Sequence, residues 1–197
     1  MFSSILNPIR PRRAGAVAAV LATAVAAALL PIGAARAPSP VRLASADTIP
    51  IADGVSIVPA PGWTLGHRGP NWVALSNADL SAQMRVTVKP AGGTDVVAAL
   101  QADKAQLAGT ASAVLTNVRD VSEPHTSTLP GPKFQQRASI DYTADVLAPQ
   151  GPIPVIGTFT ELLNTSSRQS VFVDYRQDNN ATAQAASDGG MMIESML

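Results

Sequence analysis

Any chemistry in this chain has to be built from few groups. It has two histidines, His67 and His125, no cysteine, and 14 carboxylates in 197 residues. Two imidazoles cannot make a multi-histidine metal centre, and without cysteine there is neither a thiolate nucleophile nor a disulfide. The patterns Gly-x-Ser-x-Gly, Gly-x-Gly-x-x-Gly, a phosphate-binding loop and His-Glu-x-x-His do not occur. Asp141 and Asp145 share the polar face of one predicted strand. Four residues at about 3.3 Å each set their backbones roughly 13 Å apart, whereas paired glycosidase carboxylates need about 5 to 9.5 Å. They read as solvated charge facing Arg137, Asp174 or Arg176 across a sheet. Both histidines fall in predicted loops and read as solvated. No catalytic, cofactor-binding or metal-binding residue is assigned, and no cofactor is expected.

One constellation remains, in Pro59-Ala-Pro-Gly-Trp63 and the residues just C-terminal to it. Pro61 and Gly62 suit a tight turn, after which Trp63 can plug the end of a sheet. Alternatively, Trp63, His67 and Trp72 line a ligand or partner groove, since aromatic side chains serve in such sites.

The elements that must position these groups read chiefly as strands. Ala82, Met84, Val86 and Val88 alternate with Ser81, Gln83, Arg85, Thr87 and Lys89, the period of two of a half-buried strand. From Phe134 to Val146 the same alternation runs longer, with Ala138, Ile140 and Tyr142 inward and Arg137, Ser139 and Asp141 outward. Val171, Val173 and Tyr175 repeat it within 169–177, and further strands are predicted over 55–58, 72–77, 115–122 and 155–164. Thr94 and Asp95 offer an N-cap to a helix ending at Gly109. A second helix is predicted over about 181–196, with a kink or break at Gly189-Gly190, where each glycine costs roughly 1 kcal/mol. The fold expected is α+β: a curved antiparallel sheet of about six or seven strands flanked by two helices.

The first 46 residues differ in kind. Arg10, Arg12 and Arg13 precede an apolar run, and small-residue sites come after it at Ala35-Arg36-Ala37 and Ala44-Ser45-Ala46. These are the parts of an export signal. The alternative is a membrane anchor over 14–35, about 33 Å long as a helix, followed by a Pro-rich linker, with the rest translocated. Residues 47–197 read as one domain beginning near Ile51. Beyond position 46 there are nine basic and 14 acidic residues, a balance of −5 behind a formally neutral total. That acidity, with two Trp and two Tyr, argues against nucleic acid as a partner. The Ala-, Arg- and Val-rich composition suits a bacterial source.

Pro59-Ala-Pro-Gly-Trp63 after a first short strand, a helix from about Thr94, Leu129-Pro-Gly131 leading into a long strand, and a C-terminal helix after a strand ending at Arg176 together resemble the mycobacterial LpqN-type lipoprotein family. The resemblance spans most of the domain and implies a Mog1/PsbP-like αβα sandwich. The family's lipobox cysteine is absent here, so attachment by acylation is not available. What the resemblance implies is an exported, non-catalytic binding or adaptor protein of the cell envelope or extracellular space, with an envelope or host protein as partner. A carrier of lipid or another apolar ligand is the alternative, and a weak hydrolase using His67 or His125 a lesser one.

Overall fold

Alternating side chains dictate a sheet, and their burial fixes which face each strand presents. The computed structural model describes residues 41–42, 47–109 and 115–197. The basic and apolar N-terminal segment and both candidate cleavage sites lie outside the described residues. In chain order the strands are β1 (Val41–Arg42), β2 (Ile49–Ala52), β3 (Val55–Ile57), β4 (Thr64–Arg68), β5 (Trp72–Ser76) and β6 (Ala82–Pro90). Helix α1 (Val96–Gly109) comes next, then β7 (Leu115–Asp120), β8 (His125–Thr128), β9 (Gln136–Ala148), β10 (Gly151–Asn164), β11 (Gln169–Asp178) and α2 (Ala183–Glu194).

Nine of these strands form one antiparallel sheet in the order β1-β4-β5-β6-β11-β10-β9-β7, with β8 also pairing with β9. The sheet is wider than the six or seven strands expected from sequence. β2 and β3 form a separate hairpin across Asp53-Gly54, whose φ values of 48° and 78° are those of a type I′ turn.

The central strands are buried on both sides, Val171–Tyr175 in β11 and Glu161–Asn164 in β10. On one face Val73, Met84, Val86, Val173 and Tyr175 pack with the β2–β3 hairpin and with Ala185 and Met192 of α2. On the other face Ala138, Ile140, Phe159, Leu163 and Phe172 pack with Val96 and Leu100 of α1. α1 starts where expected, because Asp95 Oδ1 accepts hydrogen bonds from the backbone N–H of Val97 (2.9 Å) and Ala98 (3.1 Å).

α2 does not break at Gly189-Gly190. Gly189 is buried against the Tyr175 ring, where a Cβ would meet Cε2 at 2.7 Å. The residue is there for close approach, and the helix continues through it. The expected turn at Pro61-Gly62 is present, with Gly62 at φ 83° and Trp63 N–H donating to the Ala60 carbonyl at 3.0 Å.

Candidate functional site

Helix α1 packs over β10, β9 and β7. Its Asp103 reaches β6 in an ion pair with Lys89. The half of that sheet face formed by β4, β5 and β6 therefore carries no helix among the described residues. Register sets its pattern in rows across the strands. Ser76, Gln83 and Arg176 form one row; His67, Ala74, Arg85 and Asp174 the next; Trp72, Thr87, Phe172 and Glu161 the third; and Lys89 with Ser170 the last.

Two features of this half-face point outward. Arg85 is exposed and lies with its Cζ 4.4 Å from the centroid of the Trp72 ring. A cation–π contact of this kind contributes about 0.5–1 kcal/mol at an exposed site. Arg85 has no carboxylate within ion-pairing distance among the described residues.

Beneath it the sheet buries acids. Asp174 accepts a hydrogen bond from the Tyr142 hydroxyl at 2.6 Å, and Arg176 lies 3.3 Å from its other oxygen while donating to Gln83 Oε1 at 2.9 Å. Tyr142 belongs to β9, two strands from Asp174. Its ring crosses β10 above Gly157, where a Cβ would sit 2.6 Å from Tyr142 Cζ, and it stacks on Phe159 with centroids 3.9 Å apart. Burial raises the Asp174 carboxyl above its ordinary value, while Arg176, the Tyr142 hydrogen bond and Arg85 pull it down. Burial, then Asp174, hold the Tyr142 phenol protonated.

One row along, Glu161 is fully buried, and neither carboxylate oxygen has a hydrogen-bond partner. Lys89 Nζ lies 3.8 Å from Oε1. Burial pushes the Glu161 carboxyl up to about 8, with Asp103 adding to the effect and Lys89 opposing it. Glu161 thus keeps its proton to a higher pH than an ordinary carboxyl does.

No family model and no curated relative matches the chain. Among solved structures, the solution structure of PsbP from the cyanobacterium Synechocystis matches 79% of this chain and 93% of its own, with a TM-score of 0.52 at 11% identity. The fold is Mog1/PsbP-like. The Ran-binding protein Mog1p of Saccharomyces cerevisiae matches 77% of this chain and 93% of its own, with a TM-score of 0.47 at 12% identity. At such identities the likeness speaks for the fold alone.

Within this Mog1/PsbP-like sheet the three residues expected to line one groove do not converge. Trp63 is 1% exposed in the core on the α2 side, where its Nε1–H donates to Asp188 Oδ2 at 3.0 Å and its ring lies 6.4 Å from that of Tyr175. His67 and Trp72 lie on the opposite face, on neighbouring strands and diagonal to each other. Both histidines are on strands rather than in loops, His67 on β4 and His125 on β8, and both are exposed. Six strand spacings separate β4 from β8, about 29 Å at roughly 4.8 Å each, so they cannot act together.

Asp141 accepts from Thr158 Oγ1 and Asp145 from Asn117 Nδ2, each at 2.7 Å. The expected facing of these two toward Asp174 and Arg176 is corrected by register. Asp174 opposes Phe159, which opposes Ile140, so Asp174 lies on the other side of the sheet. Arg137, on their own side, pairs with Glu194. No group of three or more His, Asp or Glu side chains among the described residues could hold a metal ion. Arg85 was visible in the sequence as an outward residue of a strand, but nothing local distinguished it from Lys89 or Gln83. Its partner Trp72 is brought to it only by β5–β6 pairing.

Proposed function

We propose that this is an exported, non-catalytic binding or adaptor protein, related to the mycobacterial LpqN-type lipoproteins but without their lipobox cysteine. Its partner is a protein of the cell envelope or of a host, docked on the open half-face of β4, β5 and β6. The observation that carries this reading is Arg85, exposed, set over the Trp72 ring and without an ion pair among the described residues. Affinity capture from envelope extracts with the full chain tests the reading. Enrichment of a protein over a heat-denatured control, lost with Arg85→Glu, supports it; failure to enrich any protein counts against it.

Export rests on the arginines and apolar run ahead of position 46. Pairing of β1 with β4 at Val41–Leu65 and Arg42–Thr64 favours release after Ala37, since a cut after Ala46 removes a strand of the sheet. N-terminal sequencing of the exported protein distinguishes the two: a start at Pro38 keeps β1, a start at Asp47 loses it, and a start at Met1 means the segment is retained as an anchor.

The carrier reading has one observation in its favour, a cleft of ≈ 260 Å³ between α1 and β7 lined in part by Leu107, Leu115, Val118 and Phe159. It falls below the usual range of ligand-pocket volumes, about 300–1,000 Å³. Native mass spectrometry of the purified protein decides it by the presence or absence of a bound small molecule.

A further inference from the structure

We infer that α1 is a pH-gated flap, closed over β10 while Glu161 keeps its proton and released from the sheet when that proton is lost. The flap concerns the face beneath α1 and is independent of what docks on the open half-face. The arrangement around Glu161 carries it. Val96, Leu100, Asp103 and Leu107 follow at helical spacing along α1. Asp103 thus sets a carboxylate in an otherwise apolar stripe, buried together with Val96 and Leu100. Glu161 of β10 is fully buried, and neither of its oxygens has a hydrogen-bond partner. Lys89 of β6 serves both acids: it is ion-paired with Asp103 and lies 3.8 Å from Glu161 Oε1. From β11 comes Ser170, whose buried hydroxyl also has no partner, and β9 sets Ala138 opposite Glu161. The other charged or titratable groups nearby have partners of their own. One row along, Asp174 is bonded by Tyr142 and Arg176, and Arg85 lies over Trp72. On α1, Lys104 pairs with Asp120 of β7.

With Glu161 protonated, Lys89 and Asp103 cancel each other. Loss of the proton leaves two carboxylates to one ammonium in a site closed to water, and a buried charge without hydrogen bonds is costly. The sheet does not yield to admit water there, because Glu161 stands between β9 and β11, in register with Ala138 on one side and Phe172 on the other. α1 is the element free to move, since side chains hold it to the sheet. Its departure hydrates both carboxylates and uncovers Ala138, Ile140 and Leu163. The range follows from the carboxyl, raised from 4.5 in the exposed group to about 8 in the closed one. A raised closed-state value means the closure is strongest below pH 4.5 and is lost as pH rises through 8. Opening therefore grows about tenfold per pH unit over that interval and levels off above it.

Amide hydrogen exchange of the full chain, followed residue by residue by NMR at pH 5.5 and 7.5 and corrected for the intrinsic pH dependence of exchange, tests the flap. In the wild type the opening constants of α1 amides are expected to rise about 100-fold between the two pH values. At both, they should exceed those of β10 and β11 amides by about tenfold or more, because the helix opens while the sheet stays intact. In Glu161→Gln the α1 opening constants should be the same at both pH values. Wild-type α1 opening that does not change with pH overturns the inference, and so does a rise that persists in Glu161→Gln. Equal opening constants for α1 and β10 also overturn it, since the exchange is then global unfolding and the helix has no motion of its own. This last comparison is made within the wild type and holds whatever the variant does to folding.

Discussion

Replacing Glu161 by Gln should stabilise the protein, and more so as pH rises. Glu161 is fully buried, its carboxylate oxygens lack hydrogen-bond partners, and burial raises its carboxyl from 4.5 to about 8. The native state therefore holds a proton that the unfolded chain releases near pH 4.5. A raised folded value means the group's stability is fully present below pH 4.5 and is lost as pH rises from 4.5 through 8. Each tenfold change in proton affinity corresponds to about 1.4 kcal/mol, so by pH 7 the accumulated loss is about 3 kcal/mol. Glutamine is uncharged at every pH, keeps the shape, and can accept from Lys89 while donating toward Asp103. Urea denaturation of both proteins at pH 4.5, 6, 7 and 8 measures the difference. The two should be similar at pH 4.5 and diverge by about 3 kcal/mol at pH 7 in favour of Glu161→Gln, a large fraction of the about 5–15 kcal/mol that stabilises a typical domain. Parallel pH profiles, or a variant weaker than wild type at pH 8, would show that Glu161 is ionised in the native state and refute the reasoning.

Three other perturbations separate buried hydrogen bonding, close helix–ring approach and surface stacking. Tyr142→Phe removes the only side-chain hydroxyl bonded to Asp174 among the described residues and should cost about 1–3 kcal/mol by leaving a buried carboxyl short of a donor, measured by urea denaturation. Gly189→Ala and Gly190→Ala should act in opposite directions: the first drives a Cβ into Tyr175 and destabilises by about 1–3 kcal/mol, while the second meets open space and gains up to about 1 kcal/mol of helix propensity. Differential thermal melts of the pair suffice to check this. Trp63→Phe should lose the indole bond to Asp188 and destabilise by about 1–3 kcal/mol, whereas Trp72→Phe, at a partly exposed site, should change stability by less than about 1 kcal/mol in the same melts.

Elements are legible in the sequence wherever apolar residues alternate. β6 and β9 each have one polar and one apolar face, and both were legible to within two residues. α1 and α2 were also legible from capping and composition, but the Gly189-Gly190 pair looked like a break because the ring it packs on, Tyr175, comes from another element. β4 and β8 were missed for a physical reason. β8, His-Thr-Ser-Thr, is exposed throughout, and β4 contains Gly66 and a register shift between Leu65 and His67, so neither carries an alternating signal. β2 was missed although Asp53-Gly54 is a strong hairpin signal. β10 begins at Gly151, earlier than expected, because Pro152 and Pro154 lie where β11 no longer runs alongside, and a missing N–H costs nothing at an open edge. For the site, parity misled. Asp174 has an acidic side chain on the face that packs against Phe159, a position reached only when Tyr142 crosses Gly157 to meet it. Such a buried pair depends on contacts across three strands, which no single segment displays.

If a protein partner docks on the open half of the sheet, contact with it forms there and not on the opposite face. Photo-crosslinking from benzoylphenylalanine tests it most directly, placed either at Thr87, beside Trp72 and Arg85, or at Thr143, on the other face of the sheet. Docking on the open half gives an ultraviolet-dependent adduct with an envelope protein from position 87, suppressed by Arg85→Glu, and none from position 143. An adduct from position 143 alone, or one from position 87 that persists unchanged with Arg85→Glu, would contradict it.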